Sequence, residues 1–247
     1  MKIGILGTGF MGKTLARKLA GAGHDVKVAN SRGPDSITAD VLETGARATT
    51  AEDALADVDV AILSMPNTGF EKVGPLIAVL PEQTVVIDTS NYVPQRDGEI
   101  AAIEAGQVES EWVQDHFGRP ITKAWNAIGS DSFARKEQPK AHPDRIAIPV
   151  AGDRARDREI AIGLVDDTGF DGFDAGELAT SWRQQPASPA YCTDLTYDEI
   201  GPALASAERE RLPGRRDIAL AVFTERMGKG NPPNAEWGVK ISRALFM

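Results

Sequence analysis

Met1-Lys2-Ile3-Gly4-Ile5-Leu6 runs into Gly7-Thr8-Gly9-Phe10-Met11-Gly12, and Lys13-Thr14-Leu15-Ala16-Arg17-Lys18-Leu19-Ala20 follows. The first stretch reads as an apolar strand, the second as a glycine-rich turn and the third as a helix. Gly-x-Gly-x-x-Gly in that setting is the fingerprint of a dinucleotide-binding turn. Its first glycine permits a tight turn, its second lets backbone approach a pyrophosphate, and its third lets helix pack closely on strand. Free amides at the helix start, with the helix dipole behind them, suit a diphosphate. Gly7, Thr8, Gly9, Phe10, Met11 and Gly12 are therefore expected to bind the cofactor. The alternative is an ordinary glycine-rich strand-to-helix turn.

The next strand narrows the cofactor. After Gly21-Ala22-Gly23-His24, the run Asp25-Val26-Lys27-Val28-Ala29 reads as a strand and ends at Asn30-Ser31-Arg32. Enzymes that use NAD usually place Asp or Glu there, to accept from the ribose 2′-hydroxyl. Here an amide, a hydroxyl and a guanidinium can donate to a 2′-phosphate instead, and Arg32 can stack on an adenine face. Asn30, Ser31 and Arg32 thus predict NADP rather than NAD. Asp35, slightly further on, is the residue that could reverse that preference.

A chain of 247 residues can bury a sizeable core, and 42% hydrophobic with 26% charged residues suits a globular protein. A net charge of -9 argues against nucleic-acid binding. No apolar run reaches the roughly 18 residues of a membrane span, and the N-terminal apolar stretch is broken by the glycine turn, unlike a signal peptide. A cytoplasmic location is expected. The single cysteine, Cys192, excludes an internal disulfide framework, and the three scattered histidines offer no metal-binding pair.

Strand and helix signals alternate through most of the chain. Further strands are expected at Ala46-Arg47-Ala48, Val58-Asp59-Val60-Ala61-Ile62-Leu63-Ser64, Thr84-Val85-Val86-Ile87-Asp88 and Ile121-Thr122-Lys123-Ala124-Trp125-Asn126. Helices are expected over 51–55 and 71–79. The pattern predicts a Rossmann-type, doubly wound, mostly parallel sheet covered on both faces. Ligands of such sheets sit beyond the carboxyl ends of the strands, which singles out residues 7–12, 30–32, 64–68, 89–91 and 126–129. Ser64, Met65, Pro66 and Asn91 enter the expected cofactor site on this ground. A polar stretch over 131–145 reads as a surface loop near the substrate or, in the favoured reading, simply a solvated connection. A further strand–helix–strand unit follows: Ile146 to Gly152, a helix over 155–168 with Ile160, Leu164 and Val165 on one face, and Gly169 to Asp174.

The chain is thereby divided into a nucleotide-binding domain over 1–183 and a helical extension over 184–247. In the extension, helices are expected over 199–211 and 215–227, separated by Pro213-Gly214. A last helix over 234–247 has Trp237, Ile241 and Leu245 on one face. That stripe suggests core or a homodimer contact. Arg209, Arg211, Arg215 and Arg216 could attract an anionic coenzyme tail, although a helix of arginine and glutamate is usually just a solvated face. Cys192, beside Tyr191, reads as a small buried residue rather than a catalytic thiol.

Several motifs occur here in a shared order: the glycine turn, Asn30-Ser31-Arg32, Lys123-Ala124-Trp125-Asn126-Ala127-Ile128, Val150-Ala151-Gly152-Asp153 and Phe173-Asp174-Ala175-Gly176. Together they resemble the NADP-dependent oxidoreductases that use the deazaflavin coenzyme F420. They are also similar to the cytoplasmic reductase domain of the six-transmembrane metalloreductases. The resemblance covers about residues 1–183. It implies NADP(H) lying across the strand ends, with direct hydride transfer between nicotinamide and deazaflavin. It further implies that Ser64, Met65 and Pro66 border the ribose and that Ala124 and Asn126 face the nicotinamide end. The family's reductases tend to end soon after the last strand–helix unit, whereas this chain continues for some sixty residues, which could line or cap a different substrate pocket.

Two other readings stay open. A hydroxyacid or imine reductase has a similar nucleotide domain, and Lys123 is the lysine that could serve it. A protein that only senses NADP(H) would need no catalytic group at all and would have a blocked nicotinamide pocket; Trp125 could fill that pocket, or could equally stack against the ring.

Overall fold

The computed structural model describes residues 1–227 and 234–247. Eight strands form one sheet in the order β3-β2-β1-β4-β5-β6-β7-β8. They are β1 Lys2–Leu6, β2 Asp25–Ala29, β3 Arg47–Ala48, β4 Val60–Leu63, β5 Val85–Asp88, β6 Thr122–Lys123, β7 Ala147–Gly152 and β8 Asp171–Asp174. β4 and β5 are wholly buried, as their unbroken apolar runs require of strands covered on both sides. On one face, helices Phe10–Gly21 and Ala155–Asp167 bury Leu15, Leu19, Leu164 and Val165 against the sheet. On the other, Leu55, Phe70, Ile77, Val113 and Phe117 form the second core. The sheet is therefore doubly wound, as the sequence pattern predicts.

β1 to β6 are parallel, while β7 runs antiparallel to β6 and β8 parallel to β7. The chain leaves β6 early. Thr122 and Lys123 pair with β5, but Trp125 has φ 58 and cannot continue an extended ladder. The strand expected to reach Asn126 is thus cut short. A parallel β7 would need a crossover back to the far end of the sheet, and the connection after β6 makes none, so the last two strands run in reverse.

Charge holds this junction together. Asp88 and Lys123 are register partners on β5 and β6, and the Lys123 Nζ lies 2.6 Å from Asp88 Oδ2 with both side chains sealed from solvent. Asp88 also accepts from the Ser90 backbone N–H and hydroxyl. Removing one member of a buried pair leaves the other uncompensated. Lys123→Met is expected to lower stability by about 3–5 kcal/mol, read from the urea midpoint. An unshifted midpoint would mean that the pair contributes nothing.

Two further expectations change in the structure. The polar stretch over 131–145 contains the end of a helix, Ser130–Arg135. Its last residue, Arg145, is buried on Asp166 and Asp171 rather than solvated. In the extension, one helix covers Tyr197–Ala205 and the next covers Leu212–Met227. Pro213-Gly214 lies inside the first turn of the latter instead of separating two helices, because a first-turn proline lacks only an N–H that has no partner there. The final helix, Ala235–Phe246, packs on its predecessor with Phe223 and Trp237 edge to face at 5.2 Å. Trp237, Ile241 and Leu245 are half-buried, and Phe246 is buried. Among the described residues, no helix is long and apolar enough to cross a membrane.

Candidate functional site

The three glycines of the turn differ in surroundings. Gly7 has φ +113, and a Cβ there would lie 2.0 Å from the Ser64 carbonyl oxygen at the end of β4. A Cβ on Gly12 would lie 2.0 Å from the Gly7 oxygen. Both positions admit only glycine, one for conformation and one for close approach. Gly9 has φ -69, and a Cβ there would meet nothing within 4 Å. Its bareness serves no contact within the protein, and it opens onto the crevice where a dinucleotide fits.

Two neighbouring cavities share Gly9, Ser64, Met65 and Pro66. The first, of about 700 Å³, reaches from Gly7 and Thr8 past Asn30, Ser31 and Arg32 to Lys72. Arg32 is exposed, and its guanidinium has no hydrogen bond or ion pair among the described residues; only its backbone N–H is engaged, donating to Asn30 Oδ1 at 2.9 Å. Asp35 does not line this cavity. Lys72, a second cation on its wall, comes from helix Phe70–Ala78, and no motif marks it in the sequence.

Asn30 lies in the wall, but its amide is fully engaged. Nδ2 donates to Thr8 Oγ1 at 3.1 Å and to Ser36 Oγ at 2.9 Å, while Oδ1 accepts from Arg32 N–H and the Ser36 hydroxyl. The side chain ties the glycine turn to the Ser31-Arg32 turn. Its part is to position those two segments, while Ser31 and Arg32 line the cavity beside it.

The second cavity, of about 490 Å³, opens where the first ends. Phe10, Met11, Asn91, Trp125 and Asn126 contribute from the sheet side. The extension supplies the opposite wall with Tyr191, Leu220, Phe223 and Phe246, so the residues beyond 184 complete the cavity. Ala124 does not take part. It is fully buried in the core, its N–H on the Asp88 carbonyl; the neighbouring Trp125 borders the cavity but is itself fully buried in the same core. Asn126 is 2% exposed. Its Nδ2 donates to Asn91 Oδ1 and to the Gln184 carbonyl, and its Oδ1 accepts from Gln184 Nε2 at 2.9 Å. Like Asn30 it braces the site, joining the end of β5 to the start of the extension.

Strain and an unmet polar group meet at this second cavity. Trp125, Ala187 and Cys192 all have positive φ and all line it. Trp125, on its border, has a buried Nε1 with no hydrogen-bond partner among the described residues. Such features persist where structure around them is over-determined and cluster at binding sites.

The ionisable groups here divide clearly. Burial and the neighbouring Asp194 push the Cys192 thiol up to about 12, so it stays protonated at neutral pH and is no nucleophile. Burial likewise holds the Tyr191 hydroxyl well above its ordinary range. Lys123, locked on Asp88, lines neither cavity. Glu109, buried at the start of helix Glu109–Phe117, accepts from the Tyr92 N–H at 3.1 Å. Burial pushes its carboxyl up to about 7, against the pull of Lys123. A raised carboxyl adds stability below its ordinary range near 4.5, and that contribution is lost as the pH rises through about 7. Glu109→Gln is therefore expected to flatten the fall in stability between about pH 5 and pH 8 by about 2–3 kcal/mol, in urea titrations. Parallel curves for both proteins would show that Glu109 carries no such load.

A doubly wound sheet with a glycine-lined crevice at its β1/β4 switch point defines a Rossmann-type dinucleotide-binding fold. More narrowly, residues 2–92 match the family described as NADP oxidoreductase, coenzyme F420-dependent. The motif-based resemblance thus holds for that segment. Protein YjhV of Escherichia coli (strain K12) is 46% identical over 79 residues, covering 30% of this chain and 58% of that protein. Metalloreductase STEAP3 of Rattus norvegicus is 26% identical over 189 residues, covering 76% of this chain and 36% of that protein. The chain therefore spans less than two thirds of either curated relative. A crystal structure from Arthrobacter sp. FB24, provisionally assigned as an F420-dependent NADP-reductase, superposes with a TM-score of 0.57 at 19% identity, covering 95% of this chain and 98% of that one. At that identity the likeness is one of fold.

Proposed function

We propose that this protein is an NADP-dependent oxidoreductase that passes a hydride directly between NADP(H) and a second redox substrate, the deazaflavin coenzyme F420. The observation that carries this reading is the meeting of the two cavities at Gly9, Ser64, Met65 and Pro66. A dinucleotide anchored at the first cavity has its other end directed into the second, beside the space for another molecule.

The fit to NADP(H) rests on the bare Gly9, the free amides at the start of helix Phe10–Gly21 and the unpaired Arg32 guanidinium. Residues 7–12 would hold the pyrophosphate, Ser31 and Arg32 the 2′-phosphate, and Ser64, Met65, Pro66 and Asn91 the border between the cavities. When bound, the nicotinamide supplies a hydride donor or acceptor. The protein's own work is then orientation and exclusion of water, for which the aromatic walls Phe10, Trp125, Phe223 and Phe246 are suited. No ionisable lysine, cysteine or acid needs to act on a carbon-to-carbon hydride transfer. The pairing of Lys123 with Asp88 counts against an imine-reductase role, since that lysine has no access to either cavity.

The test is an anaerobic mixture of NADPH and oxidised deazaflavin coenzyme, followed by the coenzyme's visible absorbance. Saturable bleaching that requires protein and both compounds supports the reading. Absence of bleaching, with NADPH binding confirmed by fluorescence in the same cuvette, rules out this acceptor and leaves either a different second substrate in the cavity walled by the extension or an NADP(H) sensor.

A further inference from the structure

The wall that the extension adds to the second cavity carries one charge that its surroundings do not balance. Arg216 lines the cavity from helix Leu212–Met227, and its side chain is 15% exposed. Its Nε donates to Asp217 Oδ1 at 3.1 Å, but Asp217 is 58% exposed and water-screened. The guanidinium sits 5.9 Å over the Tyr92 ring, and its two terminal nitrogens have no acceptor among the described residues.

Arg96, the other cation of the cavity, is different. Its Nε and Nη2 both donate to Asp97, whose side chain is fully buried, and Nη2 also donates to the Asn91 carbonyl. Arg96 is consequently neutralised in place. No aspartate or glutamate lines the cavity among the described residues. Glu109 lies behind Tyr92, close enough to feel Arg216 but not hydrogen-bonded to it.

A guanidinium that keeps idle donors at a cavity wall is available to an anion there, and arginine is shaped to take phosphate or carboxylate through two parallel hydrogen bonds. Phe10, Met11, Leu220, Phe223 and Phe246 give the wall a broad apolar part, which suits a ring, between hydroxyls and amides such as Ser64, Thr89, Asn91 and Asn126. We propose that Arg216 forms an anion subsite, so that the second substrate is a planar ring carrying a phosphate or carboxylate group. This rests on the reading of the second cavity as the second substrate's place. Arg216 comes from outside the segment that matches the oxidoreductase family, so the subsite is a property of this chain's extension.

FMN and riboflavin share one ring and differ by one phosphate, and both report binding through their own fluorescence. Titrated into the full protein with saturating NADP+, FMN is expected to bind about tenfold tighter than riboflavin, the size of a charge-assisted hydrogen-bonded contact. Arg216→Gln should bring FMN to the riboflavin level and leave riboflavin unchanged, while Arg216→Lys should retain part of the difference. Equal binding of the two flavins, or an FMN advantage that survives in Arg216→Gln, overturns the subsite and leaves the hydride-transfer reading standing. Binding of neither flavin overturns the subsite together with the ring site. A preserved FMN advantage without hydride transfer to the deazaflavin would overturn the deazaflavin assignment alone.

Discussion

Gly9→Val is expected to remove NADPH binding, by at least about a hundredfold in affinity, without disturbing the fold. The reasoning is steric and specific to this position. Gly9 has φ -69, which any residue adopts, and a Cβ there meets nothing within 4 Å, so the folded protein has room for a side chain. The room it would occupy is the approach of a pyrophosphate to the helix start. Gly7 and Gly12 are unsuited to the same experiment. A Cβ on either lands 2.0 Å from a backbone oxygen, so those variants lose binding and stability together. The check is a fluorescence titration with NADPH beside a urea curve. Unaltered affinity in a folded Gly9→Val protein would mean that the glycine turn is only structural.

Arg32→Glu is expected to reverse the cofactor preference. NADPH affinity should fall by about a hundredfold, the equivalent of about 3 kcal/mol, as a charge-assisted contact becomes repulsion. NADH, which has no 2′-phosphate, should change severalfold at most. The Arg32 guanidinium holds no partner in the protein, so its replacement breaks nothing in the fold. Its backbone N–H still caps Asn30, which keeps the turn in shape. Comparing both nucleotides on both proteins provides the test, and equal losses would sink the NADP assignment at this position. The two variants act at the two ends of one ligand. A protein that fails with Gly9→Val but discriminates normally with Arg32→Glu would bind a dinucleotide in some other orientation.

Asn30 and Asn126 show how far residue type can be read without the fold. Each stands where a ligand-facing amide is expected, and each is spent on bracing: Asn30 on Thr8, Arg32 and Ser36, Asn126 on Asn91 and Gln184. An asparagine after a strand is equally able to serve a ligand or the backbone. Which one it serves depends on partners up to 58 residues away, as with Gln184. Ala124 fails for a simpler reason. One positive φ at Trp125 rotates the chain out of the sheet, and alternation along an assumed strand no longer says which side chain faces the ligand.

The amino-acid sequence by itself determined the doubly wound sheet, the glycine turn and the bias toward NADP. These are local matters: glycine is required by a neighbouring backbone, unbroken apolar runs are required of buried strands, and a guanidinium in place of a carboxylate changes what a ribose can carry. Only the tertiary structure decided that the last two strands reverse, that Lys123 is locked on Asp88, and that the extension walls the second cavity with Arg216 on its face. Those outcomes depend on where buried polar and charged groups find partners across the chain, and that balance is struck only when distant segments are packed together.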